Sequence, residues 1–342
     1  MAAEAARRMS DFKPQELANT AWAFATAGHA AQALFDAMAA EAARRVRDFK
    51  PQELANTAWA FATAGQAAPE LFDAMAAEGA RRVRDFKPQE LANTAGAFAT
   101  AGHAAPELFD AIAAEAVRRL DECILTFNHK DLSGLAHGFT IAGHAAPALF
   151  DAIGEGARAA YAAHSQRGCT PQDLVDTALA LATAGSAAPA LFDAVASKVL
   201  LHVCHLTPQY LANTAWAFAT ARHAAPALFD AIADEAARRV GDFSPEDLVN
   251  TAWAFATAGH AAVALLDAIA MEAARRMDTF TMHDMAKTAW AFATARHAAP
   301  ALFAEIARVA AVAARGVGQL DPRDLANTAW AFASAGHTAP EG

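Results

Sequence analysis

The stretch Leu17-Ala18-Asn19-Thr20-Ala21-Trp22-Ala23-Phe24-Ala25-Thr26-Ala27 decides the fold, because the chain returns to it throughout its length. The same residues start again at Leu54 and Leu211, and at Leu325 with Ser334 as the one change. Close variants start at Leu91, Leu248 and Met285, and diverged ones at Leu132 and Leu174, making nine copies in 342 residues. The step from copy to copy is 37 residues in five cases and 40–42 in the other three. Self-similarity at such a period is the signature of a stacked repeat.

Working outward, Leu17, Ala21 and Phe24 fall at i, i+4, i+7, the stripe of an amphipathic helix. A capping residue followed by proline opens this helix A. Ser244-Pro245-Glu246-Asp247 is the clearest case, and Thr170-Pro171, Thr207-Pro208 and Asp321-Pro322 repeat the device. A glycine such as Gly28, Gly65 or Gly102 ends it, since glycine takes the left-handed conformation at little cost. Helix B starts near an Ala-Pro, as at Pro69, Pro106 and Pro226, and runs to a pair of arginines. Phe35, Met38, Ala39, Ala42 and Val46 form its apolar stripe.

One hairpin cannot bury both stripes, whereas stacked neighbours can. The expectation is therefore an all-α protein, an α-solenoid superhelix of about nine 37–42-residue helix–turn–helix repeats, running as a single array over residues 1–342. The extra residues of the long steps, near Ile124, Tyr161 and Gly316, all fall between helix B and the next helix A. The segment from Met1 to Arg8 matches that from Met38 to Arg45, and the chain closes just past a helix A, so a segment of a longer array is expected.

Composition agrees with helix and narrows function. Hydrophobic residues make up 55%, much of it alanine, the strongest helix former. The net charge is −10, which argues against a generally basic nucleic-acid binder. Cys123, Cys169 and Cys204 are too scattered for a zinc or redox motif. No run of about 18 uncharged apolar residues suggests a membrane span, and the N-terminus lacks a signal-peptide core. There is no phosphate-cradling glycine loop, no HExxH and no nucleophile with a plausible base, so neither enzyme, cofactor, metal nor small-molecule substrate is expected.

Three recurrent positions are candidates for ligand contact. Gln15, Asn19, Trp22 and Thr26 lie at i, i+4, i+7, i+11 on helix A. Asparagine is a poor helix-interior residue, yet it returns at Asn56, Asn93, Asn213, Asn250 and Asn327. Either it ties each copy to the next in a ladder or it offers amides to base edges. Trp22, Trp59, Trp216, Trp253, Trp290 and Trp330 share one slot, with Gly96, Gly138 and Leu179 read as its replacements. A fully buried tryptophan would not tolerate glycine without a cavity, so the slot is either a partly exposed stacking platform or core. The Gln15 position varies most, through Gln52, Gln89, Lys130, Gln172, Gln209, Glu246, His283 and Arg323, and is the natural place for readout.

The arginine pairs Arg44–Arg45, Arg81–Arg82, Arg118–Arg119, Arg238–Arg239 and Arg275–Arg276 would line up as a basic stripe able to follow phosphates. The alternative is an i, i+4 ion pair such as Glu41–Arg45 or Glu78–Arg82 on a solvated face. His29, His103, His144, His223, His260, His297 and His337 each follow a helix A and suit its C-terminal dipole; successive ones are too far apart to share a metal.

The core motif, carried by Leu17-Ala18-Asn19-Thr20 with Trp22 and Gly28 and by their equivalents, resembles the octotricopeptide repeat family, and with it the heptatricopeptide and FAST-kinase-like leucine-rich proteins. The likeness covers essentially the whole chain. It implies a helical-repeat protein that binds single-stranded RNA along its inner face in a chloroplast or mitochondrion, acting on transcript stability, processing or translation. The chain departs from that family in its acidity, in the uniformity of its copies and in lacking the C-terminal domain that many members carry. The other reading of the same solenoid is a scaffold for protein partners.

Overall fold

The computed structural model describes residues 4, 7–29, 31–163, 170–186, 188–314 and 322–334, and within them no strand occurs. The A helices are α1 (Pro14–Thr26), α3 (Pro51–Thr63), α5 (Pro88–Ala101), α7 (His129–Ala142), α9 (Pro171–Thr183), α11 (Pro208–Thr220), α13 (Pro245–Ala258), α15 (Met282–Thr294) and α17 (Pro322–Ser334). The B helices between them are α2 (Gln32–Arg44), α4 (Pro69–Arg81), α6 (Pro106–Glu122), α8 (Pro147–Ala163), α10 (Pro189–His202), α12 (Pro226–Arg238), α14 (Val263–Arg275) and α16 (Pro300–Ala314). No helix among the described residues is long and apolar enough to cross a membrane.

The chain divides into two compact units, Met1–Leu191 and Phe192–Gly342. In the first, α1, α3, α5, α7 and α9 pack each on the next, and so do α2, α4, α6 and α8. In the second, α11, α13, α15 and α17 form one such row, and α12, α14 and α16 the other. Each unit is thus an α-solenoid stack with its A row more tightly packed than its B row.

Phenylalanines join one copy to the next. The ring of Phe35 on α2 meets that of Phe61 on α3 edge-on, with centroids 5.1 Å apart. Phe72–Phe98 and Phe109–Phe139 repeat this at 5.0 and 4.9 Å. In the second unit, Phe192–Phe218 and Phe229–Phe255 do so at 5.0 and 5.1 Å. Such pairs add about 0.5–1.5 kcal/mol each beyond the area they bury. The threonine of the core motif is also structural. Thr94, Thr177, Thr214 and Thr288 are buried, and each hydroxyl donates to the carbonyl four residues earlier.

Local chemistry sets the helix ends. Thr170, Thr207, Ser244 and Thr281 cap their A helices through the side-chain oxygen. In the earliest copies a glutamate does the work instead: Glu16, Glu53 and Glu90 accept from the backbone N–H of Lys13, Lys50 and Lys87. Asp321 and Gly316 lie outside the described residues. The added residues near Tyr161 lengthen α8, while Ile124 sits in the loop after α6. After most B helices comes a 3-10 turn that periodicity does not announce, such as Val46–Asp48, Val83–Asp85 or Val240–Asp242. It delivers a buried residue, here Phe49, Phe86 and Phe243, into the base of the hairpin.

Candidate nucleic-acid interface

The amide and indole row lies on the solvent side of the A helices. Gln15, Gln52, Gln89, Lys130 and Gln209 are exposed, and Gln172 is half-buried. Asn19 and Asn93 are exposed, while Asn56, Asn213, Asn250 and Asn327 are half-buried. The side chain of Arg323 lies outside the described residues. The asparagines form no ladder: among the described residues their one side-chain hydrogen bond is that Asn250 accepts from Lys287 of the next copy, at 3.3 Å. Their amides are therefore available to a ligand, and inter-copy bonding does not account for their recurrence.

The tryptophans are on this face too. Trp22, Trp59 and Trp330 are 50%, 38% and 49% exposed, and Trp216, Trp253 and Trp290 are half-buried. In the second unit they form a continuous aromatic strip: Trp216 and Trp253 stack at 5.9 Å and 29°, and Trp253 and Trp290 at 6.4 Å and 27°. The indoles already lean on one another, so a base would stack against the strip's open side.

One sequence assignment needs correction. The helical register of α7 puts His137, not Gly138, in the tryptophan slot, five residues after Leu132 as Trp22 is five after Leu17. His137 is exposed, and Gly138 is buried against α5. A Cβ on Gly138 would lie 2.9 Å from the Gly96 amide nitrogen and 3.0 Å from the Ala95 carbonyl carbon. Beside it, Lys130, Ser133 and His137 of α7 and Asp176 and Leu179 of α9 line an open groove of about 450 Å³. Where the tryptophans stop, a mainly apolar groove edged by these polar side chains takes their place.

The arginine pairs are engaged. The second of each pair closes its own hairpin: Arg45 Nη1 donates to the Phe12 carbonyl at 2.8 Å, just before helix A of the same copy begins. Arg82 does this to Phe49, Arg119 to Phe86, Arg239 to Leu206 and Arg276 to Phe243, at 2.7–2.8 Å. The first arginines, Arg44, Arg81, Arg118, Arg238 and Arg275, are exposed, yet each pairs with the glutamate three residues before it. That glutamate, Glu41, Glu78, Glu115, Glu235 or Glu272, also pairs with the second arginine. Asp48, Asp85 and Asp242 add a further negative charge in three copies.

The guanidinium hydrogen bonds of Arg44, Arg81 and Arg275 hold the carboxyls of Glu41, Glu78 and Glu272 below the usual range. Arg118, helped by Arg119, holds Glu115 at about 2. Where two arginines face two carboxylates, as with Asp48, Asp85 and Asp242, little net field is left, so the stripe contributes clamps more than positive potential.

The histidines staple neighbouring copies. Nε2 of His103 lies 2.8 Å from Oδ1 of Asp73 on the preceding B helix, and His144–Asp110, His223–Asp193, His260–Asp230 and His297–Asp267 repeat this at 2.8–2.9 Å. Among the described residues no group of three histidine, cysteine, aspartate or glutamate side chains could hold a metal. Sequence reasoning placed these histidines at the helix C-termini but had no signal for an aspartate 30 or 34 residues away.

The sequence-family profile described as RNA-editing substrate-binding complex 6 protein matches residues 1–164, which is 164 of the 342 residues and lies wholly within the first unit. This part of the chain is thus similar to an RNA-editing substrate-binding family, which does not single out the octotricopeptide repeats. No curated protein matches the chain.

Proposed function

We propose that the chain is a non-catalytic RNA-binding helical-repeat protein of organelle RNA metabolism, binding single-stranded RNA along the exposed face of its A helices. The observation that carries this reading is the row itself. Amides with no partner among the described residues except at Asn250, and indoles at least partly open to solvent, recur at fixed positions of helix A, although replacing the asparagines would favour the helix. Aromatic faces stack on any base, and amides reach base edges. The similarity of residues 1–164 to RNA-editing substrate-binding complex 6 protein supports an RNA ligand and partner proteins within such an assembly. RNA-editing complexes are found in mitochondria, which favours that organelle over the chloroplast. The octotricopeptide likeness adds the finer expectation of roughly one nucleotide for each copy.

The neutralised arginine pairs favour a second reading, a scaffold for proteins alone. Filter binding of a labelled 12-nucleotide oligouridine at several salt concentrations separates the two. The RNA reading expects affinity that falls with salt, and about 1–3 kcal/mol lost on Trp253→Ala. No binding at low salt sinks it and leaves the scaffold.

A further inference from the structure

In six copies the residue that ends helix A is a left-handed glycine: Gly28, Gly65, Gly102, Gly143, Gly185 and Gly259, with φ between 62° and 74°. In two copies of the second unit an arginine holds this conformation instead, Arg222 at φ 53° and Arg296 at φ 52°. A left-handed conformation is costly for a residue with a Cβ, and such outliers cluster where they serve a ligand. Both side chains are exposed, and among the described residues neither makes a hydrogen bond or an ion pair. This sets them apart from the helix-B arginines, whose charge is spent on glutamates.

Their surroundings are open and rich in ring faces. Arg222 lines a groove with His223, Phe229, Thr257 and His260. Arg296 lines another with Thr294, His297, Trp330 and Ser334, so a free guanidinium and a half-exposed indole share one hollow. At the same helix ends, the hydroxyls of Thr220 and Thr294 are buried without a partner. The equivalent Thr183 of α9 instead donates to Leu179.

Resting on the RNA reading above, we infer that Arg222 and Arg296 are the backbone-phosphate contacts of the second unit, along the loop edge where α11 and α15 end. The tryptophan strip then holds bases while this edge holds phosphates. A forked guanidinium suits a phosphate oxygen pair, and guanidiniums left unpaired give an acidic chain local points at which to hold an anionic polymer.

The test is the double variant Arg222→Gly with Arg296→Gly in the full chain, with a 12-nucleotide oligouridine as probe. Glycine relieves the backbone, so the melting midpoint should hold or rise. Each lost phosphate contact on a single strand should make the log–log salt dependence shallower by about 0.7, hence about 1.4 for both. Affinity should drop without change of base preference. Unchanged affinity and slope, while the parent chain still binds, overturns the assignment and leaves the RNA reading standing. A parent chain that binds no RNA removes that reading and this one together.

Discussion

Gly96→Ala and Gly138→Ala should shift stability in opposite directions, although both put the commonest residue of this protein into an A helix. Alanine in a helix interior is favoured over glycine by about 0.5–1 kcal/mol, because the unfolded glycine has more freedom to lose. At Gly96 nothing lies within 4 Å of the added Cβ, so the full gain should appear. At Gly138 the added Cβ meets three atoms of α5: the Gly96 nitrogen at 2.9 Å, the Ala95 carbonyl carbon at 3.0 Å and the Ala95 Cβ at 3.1 Å. The closest two are backbone atoms, which cannot swing aside, so the helices must separate. Overpacking of this kind costs about 1–3 kcal/mol, which outweighs the propensity gain and leaves a net loss of about 1 kcal/mol.

The contrast is sharper because the copies around Gly138 carry alanine at its register: Ala60, Ala97 and Ala217. An argument from the repeat consensus would make Gly138→Ala stabilising. Urea unfolding of both variants decides the matter, followed by circular dichroism and analysed for the first unit. A higher midpoint for Gly138→Ala than for the parent chain would refute the close approach of α5 and α7.

The two members of an arginine pair should also differ. Arg82→Ala orphans the Phe49 carbonyl at the hairpin base and should cost about 1–3 kcal/mol, whereas Arg81→Ala removes a solvent-exposed guanidinium, leaves Glu78 paired with Arg82, and should lower the chemical-denaturation midpoint less. Acid should weaken the clamp through Glu115. Its carboxyl is depressed from 4.5 to about 2 in the fold, so its stabilisation is whole above pH 4.5 and is lost as pH falls towards 2. A series of melting midpoints across that window should fall more steeply for the parent chain than for Glu115→Gln.

What was legible in the sequence was everything with a period. Leu17, Ala21 and Phe24 announced helix A by spacing alone, and they needed no knowledge of their neighbours. Contacts that cross from one helix to another were not legible in that way. Arg45 and Arg44 are adjacent and chemically identical, yet one bonds a carbonyl 33 residues earlier and the other only its own helix. The difference comes from 3.6 residues per turn, which points adjacent side chains about 100° apart, and from the 3-10 turn that carries Phe12 within reach.

The same physics explains the misplaced tryptophan slot of copy four. Two glycines, Gly134 and Gly138, blur the alignment there, and both pack against α5; counting five residues from Leu132 puts the exposed His137 in the slot and Gly138 beside it. Arg222 and Arg296 are a different case. Their departure from glycine is plain once the copies are aligned, but a change of residue has meaning only against the conformation it must adopt. At φ near +50° an arginine without a partner is a cost with no gain inside the chain, and that imbalance makes these two positions, rather than the conspicuous arginine pairs, the place to look for a phosphate.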